Sequence, residues 1–522
     1  MFEIFGVPST ALFGQLLLGL INGSFYALLS IGLAVIFGLL NIINFAHGAQ
    51  YTAGAFLAWM LLNYLGVNYW AALVLVPLIM AVFAIVTERL LISRTYRMDH
   101  LYGLLLTFGI ALLIEGGLRQ AYGVSGLPYT IPKALTGGVN LGFMFLPWYR
   151  GWAVAVSLVL CLAVWVLIEK TRVGAMLRAA TENPTIVRSF GINVPLLITL
   201  TYALGVALAS VAGVIAAPIY QVSPMMGSNL VVVVFAVVVI GGMGSIMGAI
   251  VSGFGLGIIE GLTKVFYPEA ANLAIFIIMV LVLLCKPAGL FGKPLQVQNV
   301  LAAEATRQPV QLSRRAMRVS MAALAVVALI APWFVYPTFL MKVLCFALFA
   351  AAFNLLVGYV GLLSFGHAAF FGAAAYATGI VMKLFGATPE LGLLAGVVTG
   401  GLLGLLFGAI AIRRQGIYFA MITLALSQLV YFIAVQAGFT GGEDGLQSVP
   451  RGKLFGVFDL ENVMPMYYFT LAVFALGYAF VLRVLNSPFG EVIRSVRDNE
   501  QRARSLGLSL IHISEPTRQA EI

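Results

Sequence analysis

The chain has 522 residues, 61% of them hydrophobic and only 9% charged, with a mean hydropathy of +1.03 and a net charge of +10. A soluble globular chain carries about 25% charged residues, so the composition excludes one. The basic residues cluster in short loops between apolar runs, which is the positive-inside pattern of a membrane protein and argues against a nucleic-acid partner.

Apolar runs of about 20 residues recur throughout, which predicts an all-α, multi-pass membrane protein and excludes the short alternating strands of a membrane barrel. Cys161, Cys285 and Cys345 lie within or beside these runs without metal-ligand spacing, so neither a metal site nor a disulfide is expected. The N-terminus lacks a basic segment and a cleavage site, so no removed signal peptide is expected.

In chain order, the first run, 12–40, is interrupted by Asn22-Gly23-Ser24 and leads into the polar patch NIINFAHG at 41–48. Further spans are expected near 50–66, 69–92, 101–121 and 151–168, with a Gly/Pro loop at 123–149. A polar, basic island follows at 171–194, TRVGAMLRAATENPTIVRSFGINV. Beyond it, spans are expected near 195–218, 228–242, 244–262 and 268–284, the middle pair joined by a turn at 241–245 that favours glycine. With the island inside, alternating crossings also place Arg89, Arg94, Arg97, Lys286 and Lys293 inside. That gives about nine crossings in a first domain, 1–293.

Residues 294–318 read as a Pro- and Gln-containing cytoplasmic linker, after which the pattern repeats. Tyr26–Gly38 matches Phe346–Gly358, and Asn44–Phe56 matches Ser364–Tyr376, at a constant offset of 320 that sets His47 on His367. The island returns as SPFGEVIRSVRDNEQRARSLGL at an offset of 316. There Gly174 meets Gly490, Arg178 meets Arg494, Asn183 meets Asn499, Arg188 meets Arg504 and Gly191 meets Gly507. Thr107 meets Thr423 at the same offset. One extra span near 319–336 restores the orientation, so the two domains form a parallel repeat, a common transporter architecture.

The second domain, 319–507, has about six expected crossings and is read as truncated, because nothing after Leu508 matches the last four spans of the first. Residues 508–518, LSLIHISEPTR, can be written codon for codon as a transposase adapter used in sequencing libraries. The expectation is that 508–522 is a non-native tail, and a non-functional fragment product is one reading of the whole chain.

These motifs resemble the two membrane subunits of branched-chain amino acid ABC transporters, the hydrophobic amino acid uptake family, fused head to tail. INFAHG at 43–48, RVGAMLRAATEN with SFGIN at 172–193, GGMGSIMGA at 241–249 and KPAGLFGK at 286–293 resemble the shorter permease. GYVGLLSFGHAAFFGAAAY at 358–376, TGGEDGLQSVP at 440–450 and the second island resemble the longer one. The resemblance implies two cytoplasmic ABC ATPase subunits, a periplasmic solute-binding protein, an amino-acid substrate and a bacterial inner membrane. Relatives of this kind also move urea, short amides or aromatic acids. No Walker A motif occurs, since Gly292-Lys293 is followed by Pro294, so ATP would be bound by the partner subunits and the chain itself would be neither an enzyme nor a cofactor binder.

Each island is expected to be a coupling helix that docks on an ATPase, with arginine toward solvent and Met176/Leu177 or Val492/Ile493 on the other face. Its residues are Gly174, Arg178, Glu182, Asn183, Arg188 and Gly191, and in the second copy Gly490, Arg494, Asp498, Asn499, Arg504 and Gly507. An ordinary basic cytoplasmic loop is the plain alternative. Asn41, Asn44, His47, Ser364 and His367 are candidates to line the solute path, or equally to hydrogen-bond backbone freed at a broken helix. Glu115 with Arg119, and Glu260 with Lys264, are expected to be local pairs one turn apart. Glu443 and Asp444 are candidate contacts for the binding protein. An ion-coupled secondary transporter is the rival class, and it predicts charged residues at the midplane that are scarce here.

Overall fold

The computed structural model describes residues 3–4, 7–40, 44–96, 98, 100–292, 313–414, 416–498 and 500–505. The chain divides into two compact units, Met1–Ala305 and Thr306–Ile522. The expected linker at 294–318 falls largely outside the described residues, as do Asn41, Arg97, Asn499, Gly507 and the whole 508–522 tail.

Unit 1 runs α1 (Ser9–Leu40), α2 (His47–Leu65), α3 (Tyr69–Leu90), α4 (His100–Tyr122), α5 (Trp148–Lys170), α6 (Arg172–Glu182), α7 (Pro184–Ser189), α8 (Val194–Ala216), α9 (Met226–Gly241), α10 (Ile246–Phe266) and α11 (Ala271–Cys285). Between α4 and α5 the Gly/Pro loop carries a short ribbon, Gly138–Asn140 against Phe145–Pro147. Unit 2 runs α12 (Arg314–Ile330), α13 (Pro337–Asn354), α14 (His367–Leu384), α15 (Pro389–Ala411), α16 (Ile417–Gln436), α17 (Val463–Leu485), α18 (Pro488–Asp498) and α19 (Glu500–Ser505). A π-helical turn at Leu355–Val360 extends α13.

Among the described residues eleven helices are long and apolar enough to cross a membrane. The other apolar elements are α9 and a helix over Arg318–Trp333, which are shorter, and α2 and α14, which open on small and polar residues.

The core of unit 1 is the antiparallel seam of α1 and α10. It closes because its contact positions are glycine: a Cβ on Gly257 would fall 2.4 Å from the Gly19 carbonyl oxygen and from the Gly23 Cα. Lipid is as apolar as leucine, so membrane helices associate by close packing of this kind. The expected interruption at Asn22-Gly23-Ser24 does not occur, and α1 is one continuous helix. Ser24 Oγ donates to the Ile21 carbonyl at 2.7 Å, while Gly23 is held against the backbone of Gly253 and Phe254. A side chain that bonds its own helix and a glycine inside a tight seam cost the helix nothing that the membrane does not return.

The α9–α10 turn is made by Gly242 (φ 107°) and Gly244 (φ 85°), and Ser245 caps α10 by accepting from Gly248 N at 3.1 Å. Lys264 and Glu260 form their local pair at 2.5 Å, and Tyr26 also donates to Glu260 at 2.8 Å. The Glu115–Arg119 pair is not formed.

Candidate functional site

The first island is two short helices. Thr171 caps α6 by accepting from Gly174 N at 3.3 Å. Asn183 ends α6 and caps α7, accepting from Thr185 N at 3.2 Å and Ile186 N at 3.1 Å, with Pro184 in the first turn. Gly191 (φ 77°) turns the chain, and Asn193 caps α8 by accepting from Leu196 N at 3.1 Å.

The repeated glycine and arginine form one joint, built twice. A Cβ on Gly174 would overlap the Ile168 carbonyl, so only glycine lets α6 lie against the end of α5. Arg178 Nη1 then donates to that same Ile168 carbonyl and lies 3.5 Å from Glu169. In unit 2 a Cβ on Gly490 would lie 2.5 Å from the Leu485 carbonyl, and Arg494 Nη2 donates to that carbonyl at 3.3 Å. Arg494 also sits over the Tyr359 ring at 5.1 Å. The last carbonyls of a helix have no partner within it and carry the negative end of its dipole, which is what a guanidinium matches.

The faces follow the expected ones, with Arg178, Arg188 and Arg494 exposed and Leu177 and Ile493 buried. Arg178 and Arg494 at the same time bond back to their own membrane helices. Each island also leaves apolar groups outward beside its charged ones: Val173, Ile186 and Phe190 (79% exposed) with Arg188 in the first, and Phe489 with Asp498 in the second. Glu182 closes α6 and is exposed. Arg504 lies on α19, whose Ala503 is buried.

The two helix breaks are also built alike. Asn44 Oδ1 accepts from Ala46 N at 3.1 Å, and Ser364 Oγ accepts from Gly366 N at 3.1 Å. Phe45 N donates to Thr107 Oγ1 at 3.2 Å, and Phe365 N to Thr423 Oγ1 at 3.1 Å, so a threonine of α4 or α16 tethers each break. The histidines differ. His47 is fully buried with Nε2 donating to the Leu29 carbonyl at 3.0 Å, whereas His367 is ringed by Phe353, Phe370 and Phe349 at 5.1, 5.7 and 6.2 Å.

Sequence reasoning missed the neighbours of Asn44. Its Nδ2 donates to Gln50 Oε1 at 3.0 Å, and Gln50 Nε2 donates to the Tyr202 hydroxyl at 2.8 Å, all three residues being fully buried. Glu88, 2% exposed, accepts from Tyr96 at 2.7 Å and from Thr199 at 2.8 Å. The available signal was a glutamine and a carboxylate at apolar helical positions, which are costly unless bonded. The Gly441–Pro450 loop forms short turns with Glu443 and Asp444 exposed.

Long apolar helices in two units, each with the same joint at an island and the same tethered break, define a multi-pass helical membrane protein of duplicated design. The family model described as "branched-chain amino acid transport system / permease component" matches twice, over residues 15–284 and 335–513. The chain belongs to this family of transport permeases. It is 31% identical over 302 residues to the high-affinity branched-chain amino acid transport system permease protein BraD of Pseudomonas aeruginosa, covering 55% of this chain and 97% of that relative. It is 29% identical over 301 residues to the permease protein LivH of the corresponding Escherichia coli system, again over 55% and 97%. To the Escherichia coli permease protein LivM it is 28% identical over 184 residues, 30% of this chain and 42% of LivM. No solved structure matches.

Proposed function

We propose that the chain is the membrane part of an ABC importer for branched-chain amino acids in a bacterial inner membrane. It carries two permease domains, 1–293 and 319–507, joined by a linker at 294–318. The islands are the docking points of two cytoplasmic ATPase subunits, which bind the ATP, and a periplasmic binding protein delivers the solute, with Glu443 and Asp444 in a loop it can reach. Asn44, His47, Ser364 and His367 sit at the breaks that open and close the path.

The observation that carries this reading is the doubled joint. Gly174 with Arg178, and Gly490 with Arg494, each clamp a short helix to the end of a membrane helix and leave its far side outward. A push on that side is delivered directly to the membrane helix.

The test is leucine uptake in vesicles holding the chain with its ATPases and binding protein. Uptake is expected to require ATP, and Arg178→Ala and Arg494→Ala are each expected to lower it about tenfold, the equivalent of one lost charged hydrogen bond of about 1.5 kcal/mol. Uptake driven by an ion gradient without the ATPases would support the secondary-transporter reading instead. Urea, short amides and aromatic acids tested as competitors settle the substrate.

A further inference from the structure

Helix α8 starts at Val194, directly after the first island, and its capping residue Asn193 belongs to that island. Two of its buried side chains, Thr199 and Tyr202, are three residues apart and so share one face. Thr199 Oγ1 donates to Glu88 Oε2 of α3 at 2.8 Å. The Tyr202 hydroxyl accepts from Gln50 of α2 at 2.8 Å, and Gln50 in turn accepts from Asn44 at 3.0 Å within the helix break. Tyr96, in the loop after α3, donates to the other oxygen of Glu88 at 2.7 Å. One rigid helix thus leads from the island to two hydrogen-bonded contacts, one at the end of α3 and one at the break before α2.

We infer that Thr199 and Tyr202, acting through Glu88 and Gln50, are positioning residues that carry movement of the first island to the helix break at Asn44. This rests on the proposed reading that the island is moved by an ATPase. The physical reason is directionality. Apolar helix faces can slide while staying apolar, but a buried hydrogen bond must move with its partner or be left unmade where no water can replace it. A shift of α8 therefore draws the start of α2 with it.

Among the described residues of the second unit this linkage is not formed at the matching place, and the positions matching Thr199 and Tyr202 lie outside them. At the offset of 320, Gln50 meets Phe370, whose ring packs on Phe407 of α15 at 4.9 Å. Beyond Glu390 in its first turn, α15 contains no carboxylate. The two breaks are alike in their tethers and unlike in what connects them to the rest of their units.

The experiment uses the full chain reconstituted with its ATPases and binding protein, reading leucine transported per ATP hydrolysed together with thermal stability of the assembly. Tyr202→Phe removes one oxygen, and Thr199→Val replaces a hydroxyl at near-equal volume. Both are expected to assemble and hydrolyse ATP, with the transport-per-ATP ratio about tenfold below the parent. The double variant Gln50→Leu/Tyr202→Phe removes both partners of one bond. It also leaves the buried Asn44 Nδ2 without its acceptor, so it is expected to be less stable than Tyr202→Phe yet to keep the same low ratio, whereas a merely structural bond would see the ratio fall further with stability. A parental ratio in Tyr202→Phe and Thr199→Val overturns the inference, as does a failure of both to assemble. If parental uptake proves independent of the ATPases, the proposed function falls first and this inference with it.

Discussion

Helices α1 and α13 occupy the same place in the repeat, yet 83% of the most apolar stretch of α1 is buried within the chain and none of the corresponding stretch of α13 is. Both lead into a tethered break, and their matched segments share an offset of 320. What differs is company. In unit 1, α10 lies along α1 through the Gly19, Gly23 and Gly257 contacts, and Gly32 of α1 meets Gly205 of α8. Among the described residues of unit 2 no helix takes those places, and α13 is flanked by α17 and its own π-helical turn. A membrane helix gains little from hiding apolar surface, because lipid solvates it equally well. Burial is set by whether small residues meet a matching neighbour.

The largest effect that would break this comparison is expected at the seam. Gly257→Leu should cost about 3 kcal/mol or more, since the new side chain meets backbone on α1 and cannot be accommodated by a rotamer change. Gly404→Leu, on an open face of α15, should change stability little. Thermal unfolding in detergent, or loss of a protease-resistant first unit, separates the two. Equal effects would mean that the glycines are not what closes unit 1.

The tethers should behave alike in both units. Thr107→Val and Thr423→Val each remove the hydroxyl that accepts from a phenylalanine N–H at the break, at a cost of about 1–3 kcal/mol. Hydrogen exchange at Phe45 and Phe365 should rise in the respective variants. A large effect in one unit only would show that the shared geometry hides different mechanics.

A smaller difference is expected at the first polar residue of each break. Asn44→Ala loses both the bond from Ala46 N and the bond to Gln50, whereas Ser364→Ala loses only the bond from Gly366 N. At about 1 kcal/mol per bond, the first should be more costly by about 1 kcal/mol in a side-by-side melt.

Much of the plan was readable from residue patterns, because it depends on local chemistry. Apolar length marks helices, and basic loops set their orientation. Thr171, Asn183 and Asn193 cap helices through their own side chains, and the spacing of Gly174 and Arg178 is what a helix-end joint needs. Where the reading failed, a distant element had supplied the partner. Asn22-Gly23-Ser24 resembles a break but stays helical, with Gly23 held against Gly253 and Phe254 of α10. The arginines are exposed as expected, yet each bonds back to a carbonyl of the preceding membrane helix, a partner the residue pattern did not name.

By itself, then, the sequence determined the all-helical, duplicated membrane architecture, the family, and the two islands and two breaks on which the proposed function rests. These follow from periodicity, length and short-range bonding within about one helical turn. Only the tertiary structure decided which polar groups meet: Gln50 with Tyr202 across 152 positions, Thr199 with Glu88 across 111, and Tyr26 with Glu260 across 234. A buried polar side chain announces that it needs a partner, but a donor has many acceptors in the chain. The choice among them is made by which helices pack together.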